Sequence, residues 1–361
     1  MTVAVLDTGV QPHLAMLEKN IARLDLVNES SVTLTNEHAW HGTAVASIIA
    51  GNSPDLRGLA PSAGILSIKV MGNDGTGNTF TLARGIIEAA DRGARVINIC
   101  MGTYSSSQLL EDAVNYAVQK GVAIVASAGN DGVEGVSYPA RYDGVIAVSG
   151  VDASERHVYF ANRGPQVDLA APAVGVGAAW DEDRQALFSG TSAAAPFVSG
   201  ALAWLMAANP AMSAEEATRL LYQYANDSVT PGRDEEVGEG ILNVRRVRER
   251  GQKGIYDVGL APLEVSAPPA GERFVTVSIM AQNRGTEPLS TFDMRIEAGQ
   301  EAESAVFYNV GAGQSVRREK RLDAKLLERE PITVLVSVSI RGMPDAYPAD
   351  NQKSSTISAR K

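Results

Sequence analysis

The stretch Val3-Ala4-Val5-Leu6-Asp7-Thr8-Gly9, at the start of a 361-residue chain, decides the fold class. Val3 to Leu6 are apolar at consecutive positions instead of alternate ones, and the run ends in an acid and a glycine turn. Such a run is typical of a strand in a parallel sheet whose two faces are both covered by helices. Sites in these sheets form at the carboxyl ends of the strands, so we expect Asp7 to lie in a functional cleft.

Similar apolar runs follow in the first two-thirds of the chain, and amphipathic stretches separate them. The runs predict strands over Thr2–Leu6, Ile21–Val27, Gly64–Val70, Arg95–Ile99, Val122–Ala126 and Val145–Ser149. The stretches between and after them predict helices over Thr43–Ala50, Thr79–Arg92, Gln108–Lys120, Ala193–Ala207, Ser213–Ala225 and Leu242–Glu249. This alternation predicts an α/β fold with a doubly wound, mostly parallel sheet.

The last third of the chain has a different pattern, in which apolar and polar residues alternate strictly and turn residues separate the runs. Seven short strands are predicted there: Leu260–Val265, Phe274–Ala281, Thr291–Glu297, Ser304–Asn309, Ser315–Leu322, Ile332–Ile340 and Lys353–Ala359. This is the signature of a small all-β immunoglobulin-like sandwich. We therefore expect two domains, covering residues 1–252 and 256–361.

Composition narrows the function classes. The formal net charge of -10 and the lack of a basic cluster with aromatic residues argue against a nucleic-acid partner. One cysteine, Cys100, excludes an intrachain disulfide, and with four histidines a zinc site is not expected. The longest apolar run, 193–209, is interrupted by Pro196 and Gly200, so it predicts a buried core helix and not a membrane span.

Three segments supply an acid, a base and a nucleophile in the order Asp, His, Ser: Asp7-Thr8-Gly9, His41-Gly42-Thr43 and Ser189-Gly190-Thr191-Ser192. A serine hydroxyl attacks well only when a neutral imidazole takes its proton and a carboxylate orients that imidazole. Ser192 directly precedes a predicted helix, where unpaired backbone N–H groups favour a developing oxyanion. The three segments together predict nucleophilic catalysis by Ser192.

Each residue also has a simpler interpretation when it is taken alone. Ser192 would be a helix N-cap, His41 a surface or capping histidine, and Asp7 a turn residue after a strand. The occurrence of all three in order favours the catalytic interpretation. Asn130 follows the predicted strand 122–126 and could donate its side-chain amide to an oxyanion, but a Gly-Asn turn explains it equally well in isolation.

On these motifs the chain resembles the subtilisin-like serine proteases over residues 1–250. Further matching stretches are Leu66–Val70, Val96–Ile99, Ser137–Ala140 and Gly240–Val244. The resemblance implies that Asp7, His41 and Ser192 form a catalytic triad and that Asn130 belongs to the oxyanion hole. It implies a serine endopeptidase that needs no cofactor and acts on polypeptides. More loosely, the C-terminal segment resembles the immunoglobulin-like, adhesion-type domains of bacterial extracellular proteins, and the sequence indicates no partner for it.

The resemblance also predicts how the substrate binds. Its backbone is expected to pair as an added strand along Cys100-Met101-Gly102, with Thr76-Gly77-Asn78 on the other side. The pocket for the residue before the scissile bond is expected between Cys100–Gly102, Ala126-Ser127-Ala128 and Ser137. Small walls predict a roomy apolar slot, and Asp131 on its rim would also admit a basic side chain.

Several positions depart from the family pattern. The histidine that often follows His-Gly-Thr is Ala44 here, and the methionine that often follows the nucleophile is Ala193, so we expect resistance to peroxide. The loop and the N-terminal segment that carry a calcium site in many relatives are not recognised, so no calcium is expected there. The apolar run after Met1 is short and ends in an acid, so no signal peptide is expected there. No propeptide is recognised before Met1, and since relatives commonly need one to fold, the chain expressed alone is expected to misfold or to be weakly active. By family habit the full-length protein is expected outside the cell or in the cell envelope.

Two other function classes compete with the endopeptidase. A catalytically silent binding protein would have no need of the complete set Asp7, His41, Ser192 and Asn130. An esterase of the α/β-hydrolase type would carry its serine in a Gly-x-Ser-x-Gly turn, whereas Ser192 lies in Gly-Thr-Ser-Ala-Ala. Both alternatives therefore rank below the endopeptidase.

Overall fold

The computed structural model describes residues 1–27, 37–181, 183–228, 230–266, 273–328 and 330–358, and it divides into two compact units. The first unit comprises Met1–Tyr222 and Asp234–Leu242, and the second comprises Gln223–Arg233 and Asn243–Lys361. The predicted gap between the two domains, at residues 252 to 256, lies shortly after the division at residue 242.

The first unit is built on a seven-stranded parallel sheet. Its strands are β1 (Thr2–Asp7), β2 (Ile21–Asp25), β3 (Gly64–Lys69), β4 (Val96–Ile99), β5 (Ala123–Ser127), β6 (Val145–Val151) and β7 (Leu169–Pro172). They run in the order β2-β3-β1-β4-β5-β6-β7. In β1 the residues Val3 to Asp7 are all buried, as expected for a strand covered on both faces. The predicted doubly wound α/β fold is confirmed.

Helices cover both faces of this sheet. They are α1 (His41–Ala50), α2 (Thr79–Asp91), α3 (Gln108–Gln119), α4 (Thr191–Ala208) and α5 (Ala214–Gln223). Helices α2 and α3 share a buried cluster with Ala4 and Leu6 of β1. Val3 and Val5 point to the opposite face because side chains alternate along a strand, and on that face α1 and α4 pack against each other and against the sheet.

Helix α4 carries Ser192 in its first turn and runs through the interior of the first unit. Its length and hydropathy would suffice to cross a membrane, but 78% of it is buried inside the protein, as is usual for a core helix. Pro196 is the sixth residue of the helix, so its missing N–H leaves the Ser192 carbonyl oxygen without its helical partner, and the Cys100 thiol donates to that oxygen instead at 3.6 Å. The predicted core helix is therefore confirmed.

Three strands were not predicted from the sequence: β7, and the antiparallel pair β8 (Val176–Trp180) and β9 (Arg184–Phe188). β8 reads Val-Gly-Ala-Ala-Trp, and three of its five residues, one Gly and two Ala, have low strand propensity. β7 ends in Pro172, which is rare inside a strand. Pairing with neighbouring chain segments therefore determines these strands, and local propensity contributes little.

The second unit consists of antiparallel sheets. Its strands are β10 (Val258–Leu260), β11 (Glu264–Ser266), β12 (Phe274–Asn283), β13 (Leu289–Ala298), β14 (Glu301–Val310), β15 (Ser315–Asp323), β16 (Ile332–Ile340) and β17 (Gln352–Ile357). In one sheet β12 pairs with β10, β11 and β15, and the other has the order β14-β13-β16-β17. Apolar residues of both sheets form one buried cluster around Phe292, which is the arrangement of an all-β sandwich.

Two short helices complete the second unit: α6 (Val244–Glu249) and α7 (Ala324–Leu327). The predicted strand Leu260–Val265 is interrupted between β10 and β11, where Pro262 has no N–H to donate to the ladder. Ala359, the end of the last predicted strand, lies outside the described residues.

Candidate active site

Asp7 and His41 are in direct contact. Asp7 is the last residue of β1, and its side chain is completely buried. His41 Nδ1 lies 2.8 Å from Asp7 Oδ1 and 3.0 Å from Oδ2. Burial by itself would lower the pKa of His41, but the charge and hydrogen bond of Asp7 raise it above the ordinary value. The carboxylate therefore favours the tautomer with a proton on Nδ1 and leaves Nε2 free to act as a base.

A glycine at position 42 permits this approach. A Cβ added to Gly42 would lie 2.4 Å from the carbonyl oxygen of Gly9 and 3.1 Å from the Cβ of Asp7. The N–H of Gly42 also donates to Thr8 Oγ1 at 3.1 Å. The start of α1 is thus held tightly against the end of β1.

Ser192 lies beside the carboxyl end of β4, the strand next to β1. Leu6 is in register with Ile99, so Cys100 follows β4 where Asp7 ends β1. The Ser192 hydroxyl donates to the Cys100 carbonyl oxygen at 3.4 Å, and no hydrogen bond joins it to His41 among the bonds of these described residues. A hydroxyl can rotate to another acceptor, and catalytic hydrogen bonds are often long before substrate binds. The register and this bond place Ser192 at the end of the strand next to the one that ends in Asp7.

A buried polar chain behind Ser192 ties α4 to β4. The thiol of Cys100 donates to the Ser192 carbonyl oxygen at 3.6 Å and accepts from Asn98 Nδ2 at 3.1 Å. Asn98 Oδ1 in turn accepts from Ser199 Oγ, two turns after Ser192 in α4, at 2.8 Å. Burial and the nearby Asp7 carboxylate raise the pKa of Cys100 well above its usual value, so the thiol stays protonated.

Asn130 is held at the N-terminus of α4. Its Oδ1 accepts from the backbone N–H of Thr191 at 2.8 Å and lies 3.0 Å from Thr191 Oγ1. A backbone N–H can only donate, so it fixes Oδ1 toward Thr191 and leaves Nδ2 as the free donor of the amide. Gly190, with φ +128, brings the chain close, because a Cβ there would lie 3.4 Å from Asn130 Nδ2. Asn130 and Ser192 are therefore neighbours through Thr191.

The predicted substrate-binding segments come together in the first unit. A Cβ on Gly77 would lie 2.7 Å from Met101 Cε, so the segment around Thr76 and Gly77 faces the one around Met101. A Cβ on Gly102 would lie 2.5 Å from Ser137 Oγ. The N–H of Ser137 donates to the Ala128 carbonyl oxygen at 2.9 Å. Ala126, Ser127 and Ala128 are all buried.

Sequence reasoning missed Phe188, which contacts the predicted base. The ring of Phe188 packs edge-to-face on His41, with centroids 5.2 Å apart and an interplanar angle of 80°. Trp180 lies in β8, and the centroid of its ring is 6.2 Å from that of Phe188. Both belong to the strand pair that the sequence did not indicate, so the only local signal was an aromatic residue four positions before Ser192.

Sequence reasoning also missed a hydrogen-bonded group next to Asn130. The hydroxyl of Tyr104 donates to a carboxylate oxygen of Asp131, and the side chain of Asn162 donates to the Tyr104 hydroxyl at 2.7 Å. Burial and the Asp131 carboxylate raise the pKa of Tyr104, so this hydroxyl remains a donor in neutral and mildly alkaline solution. Asp131 therefore does not lie unbound on the rim of the predicted pocket.

Within the described part of the chain, no group of three His, Cys, Asp or Glu side chains is placed to hold a metal ion. The side chains of the candidate site supply an oriented imidazole, a hydroxyl and an amide donor at a helix N-terminus.

Comparisons with known proteins show what this chain is similar to. The model of the Subtilase family matches residues 1–240. Subtilisin BL from Lederbergia lenta is 37% identical over 243 residues, which cover 67% of this chain and 88% of that protein. Thermitase from Thermoactinomyces vulgaris is 38% identical over 200 residues, covering 55% of this chain and 72% of that protein.

Solved structures show the same similarity. The protease domain of PatA, solved as a mutant, has a TM-score of 0.62 and 29% identity, covering 68% of this chain and 92% of that one. The prenylagaramide maturation protease PagA has a TM-score of 0.60 and 29% identity, covering 69% and 93%. The family match, the relatives and the parallel α/β fold together show that this chain belongs to the subtilase family of serine-type endopeptidases.

Proposed function

We propose that Ser192 is the nucleophile of this endopeptidase, with His41 as its general base and acid, Asp7 orienting His41, and Asn130 in the oxyanion hole. The contact of Asp7 with His41 carries the proposal, because both carboxylate oxygens lie within 3.0 Å of Nδ1. The contacts of Ser192 with Cys100 and of Asn130 with Thr191 support it further.

The reaction then proceeds in two steps. His41 Nε2 takes the proton of the Ser192 hydroxyl as Oγ bonds to the scissile carbonyl carbon. Asn130 Nδ2 and the backbone N–H of Ser192 stabilise the negative oxygen of the tetrahedral intermediate. His41 passes its proton to the leaving amine, and the C–N bond breaks to give an acyl-enzyme. Water, deprotonated by His41, then releases the acid and restores the Ser192 hydroxyl.

A matched pair of serine variants tests these roles. Ser189 lies in the same turn, where its Oγ accepts from the Gly175 N–H at 2.9 Å. We expect Ser192→Ala to lower kcat for a peptide p-nitroanilide by more than about 10³-fold, and Ser189→Ala to leave it within about fivefold. Retained activity in a folded Ser192→Ala protein would contradict the assignment. A folded parent protein with no activity would favour the silent binding protein.

We also propose that the substrate binds as an added strand along Cys100-Met101-Gly102, opposite Thr76-Gly77-Asn78. The predicted pocket for the residue before the scissile bond is bounded by Ala126-Ser127-Ala128 and Ser137, and the close approach of Gly102 to Ser137 supports this. Main-chain pairing predicts that N-methylation of alternate substrate amides lowers kcat/KM. An unchanged kcat/KM for every methylated position would argue against strand addition.

For the whole chain we propose a peptidase domain over residues 1–252, closed by α6, and an immunoglobulin-like domain over residues 256–361. The two compact units and the eight-stranded sandwich support two domains. Limited proteolysis tests the boundary: the first cuts are expected between residues 250 and 256. First cuts within 223–243 would place the boundary earlier.

A further inference from the structure

The segment that carries Asn130 is held on both sides by one buried residue, Asn162. The backbone N–H of Asn162 donates to the Gly129 carbonyl oxygen at 3.0 Å. The N–H of Asp131 donates to Asn162 Oδ1, also at 3.0 Å. The residues directly before and after Asn130 are therefore bonded to the same residue, whose side chain is 0% exposed.

Asn162 makes further bonds that fix its own orientation. Oδ1 accepts a second backbone N–H, from Val133, at 3.4 Å. Nδ2 donates to the carbonyl oxygens of Ala128 at 3.3 Å and Gly135 at 3.2 Å. Two N–H donors on Oδ1 and backbone acceptors on Nδ2 leave the amide a single orientation.

Gly129 provides the space that this arrangement needs. It has φ +113, and a Cβ there would lie 2.3 Å from Asn162 Nδ2. A residue with a side chain at position 129 would push Asn162 away from the loop. The backbone conformation before Asn130 and the burial of Asn162 therefore depend on each other.

Tyr104 links Asn162 to the segment that contains the predicted substrate strand 100–102. Its hydroxyl accepts from Asn162 Nδ2 at 2.7 Å and donates to the Asp131 carboxylate. Tyr104 follows the predicted substrate strand 100–102 by two residues. The N–H of Thr103 donates to the Tyr138 carbonyl oxygen at 2.9 Å, which holds this segment against the one that contains Ser137.

We propose that Asn162 is a positioning residue for the oxyanion hole, which holds the amide of Asn130 in place, and that Tyr104 couples this residue to the substrate-binding strand. The inference rests on the proposed role of Asn130. An oxyanion donor stabilises the transition state fully only when it is already held at the right place, because the free energy needed to move it during the reaction would offset that stabilisation. Asn162 therefore acts on kcat through Asn130 and does not contact the substrate.

A double-mutant cycle separates positioning from general support of the fold. We expect Asn130→Ala to lower kcat about 10²-fold, Asn162→Ala about 10-fold or more, and Tyr104→Phe about 3–10-fold, each with KM little changed. In the Asn130→Ala background, the effects of Asn162→Ala and Tyr104→Phe are expected to shrink to within about twofold, because the donor they position is gone.

Tyr116→Phe is the matched control, because the Tyr116 hydroxyl on α3 donates to Asp91 at the end of α2 at 2.6 Å in an exposed pair. It should leave kcat unchanged. If Asn162→Ala does not fold, the cycle of Tyr104→Phe with Asn130→Ala decides alone. The proposal is overturned if Asn162→Ala or Tyr104→Phe lowers kcat by the same factor in the Asn130→Ala background as in the parent protein. An Asn130→Ala protein with full kcat overturns it together with the oxyanion role, whereas loss of activity in Ser192→Ala would still support the triad.

Discussion

Asp7 combines complete burial with several hydrogen bonds. Its Oδ1 accepts from the N–H of Thr8 at 2.8 Å, and both oxygens contact His41. A buried carboxylate is stable only with such partners. Its charge raises the pKa of His41 above 6.5 although burial acts in the opposite direction.

Asp7→Asn is therefore expected to have two effects. The base form of His41 is the active one, so the acid limb of kcat/KM in the parent protein should have its midpoint above 6.5. Without the carboxylate, burial dominates, so the midpoint should move to lower pH. The maximal kcat should fall by about 10⁴-fold, because the amide can stabilise the wrong tautomer. A pH profile with an unmoved acid limb would contradict this account.

The Asp7–His41 pair also affects the free energy of unfolding, which it raises at low pH, whereas activity needs the higher pH at which His41 is neutral. His41 binds its proton more tightly in the folded protein than in the unfolded chain, so protonation stabilises the fold. This contribution is complete below about pH 6.5 and disappears as the pH rises through the raised pKa of the folded state. The pH of maximal activity therefore lies where His41 no longer adds to the free energy of unfolding.

Hydrogen peroxide is expected to act on substrate binding and leave the chemical step intact. Ala193, next to the nucleophile, has no thioether and is completely buried. Met101, by contrast, lies in the predicted substrate strand and packs close to Gly77. A sulfoxide at Met101 would be bulkier and polar, so KM should rise while kcat stays within about twofold.

Kinetics before and after peroxide treatment check this prediction, with Met101→Leu as the matched variant. Met101→Leu should keep its KM after treatment. A rapid loss of kcat in both proteins would show that oxidation elsewhere inactivates the site.

At this scale the sequence indicated residues in local motifs and missed those that act through tertiary contacts. Asp7 and His41 were recognised from short patterns that include their neighbours, and the structure brings them together. Asn162 and Tyr104 have no such pattern, because their partners lie far away in the chain: Asn162 bonds mainly to backbone groups, and Tyr104 bonds to the side chains of Asp131 and Asn162. Only the folded structure shows that both meet beside Asn130.

Among the elements, burial explains which ones the sequence indicated. Strands β1 and β3 to β6 follow from apolar runs, because strands covered on both faces need apolar residues at consecutive positions. The edge strand β2 is half-buried or exposed throughout and contains Arg23 and Asp25, so it does not follow this rule. The helices α2 and α3 follow from amphipathic patterns, and their bounds agree within one residue with prediction. The pair β8 and β9 is partly exposed and has no clear pattern, so the sequence did not indicate it.

Helix α5 has a capping box at its N-terminus, formed by Ser213 and Glu216. The N–H of Ser213 donates to Glu216 Oε2 at 2.8 Å, and the N–H of Glu216 donates to Ser213 Oγ at 3.0 Å. Ser213→Ala removes the second bond and should lower the Tm of the first unit by about 2–4 °C. Tryptophan fluorescence follows this transition, because Trp40, Trp180 and Trp204 all lie in the first unit.

Glu216→Gln serves as the control for this prediction, since glutamine also accepts the Ser213 N–H. Its Tm should stay within about one degree of the parent value. An equal loss in both variants would mean that the charge of Glu216, and not the capping geometry, stabilises the helix end.

The second unit contains a group of ionisable residues with little or no exposure to solvent. No apolar pattern or motif in the sequence indicates this group. Arg245 Nη2 lies 3.1 Å from Asp257 Oδ2, and Arg284 Nη1 lies 2.6 Å from Asp350 Oδ2. Asp257 is 0% exposed. Burial and the nearby Asp350 raise the pKa of Asp257 to about 6, although Arg245 acts in the opposite direction.

The free energy of unfolding of the second unit is therefore expected to fall as the pH rises from about 4 to about 6. Over this range the folded protein holds a proton on Asp257 that the unfolded chain has released. The change should be about 2–3 kcal/mol, and Asp257→Asn should remove it. Hydrogen exchange of β12 as a function of urea and pH measures this stability.

Asp293→Asn is the control, because Asp293 forms an exposed pair with Arg341 that lowers its pKa. Loss of that pair should leave the fall between pH 4 and 6 in place. A parent protein whose β12 exchange does not change with pH would contradict the raised pKa of Asp257.

The two-unit organisation was indicated by the change from consecutive to alternating apolar residues. The position of the division was harder to predict, because α6 is a short helix that either unit could contain by composition. In the structure α6 belongs to the second unit, where Arg245 contacts Asp257, and a contact between two charged residues has no periodicity in the sequence.

Labelling with a fluorophosphonate probe is the most direct test of the central claim that Ser192 is an activated nucleophile. The probe reacts with a serine whose base and oxyanion hole are assembled, and peptide mass spectrometry locates the adduct. We predict one adduct, on Ser192, that is absent from Ser192→Ala and from heat-unfolded parent protein. A folded parent protein that stays unlabelled, or one labelled at another serine, would contradict the account.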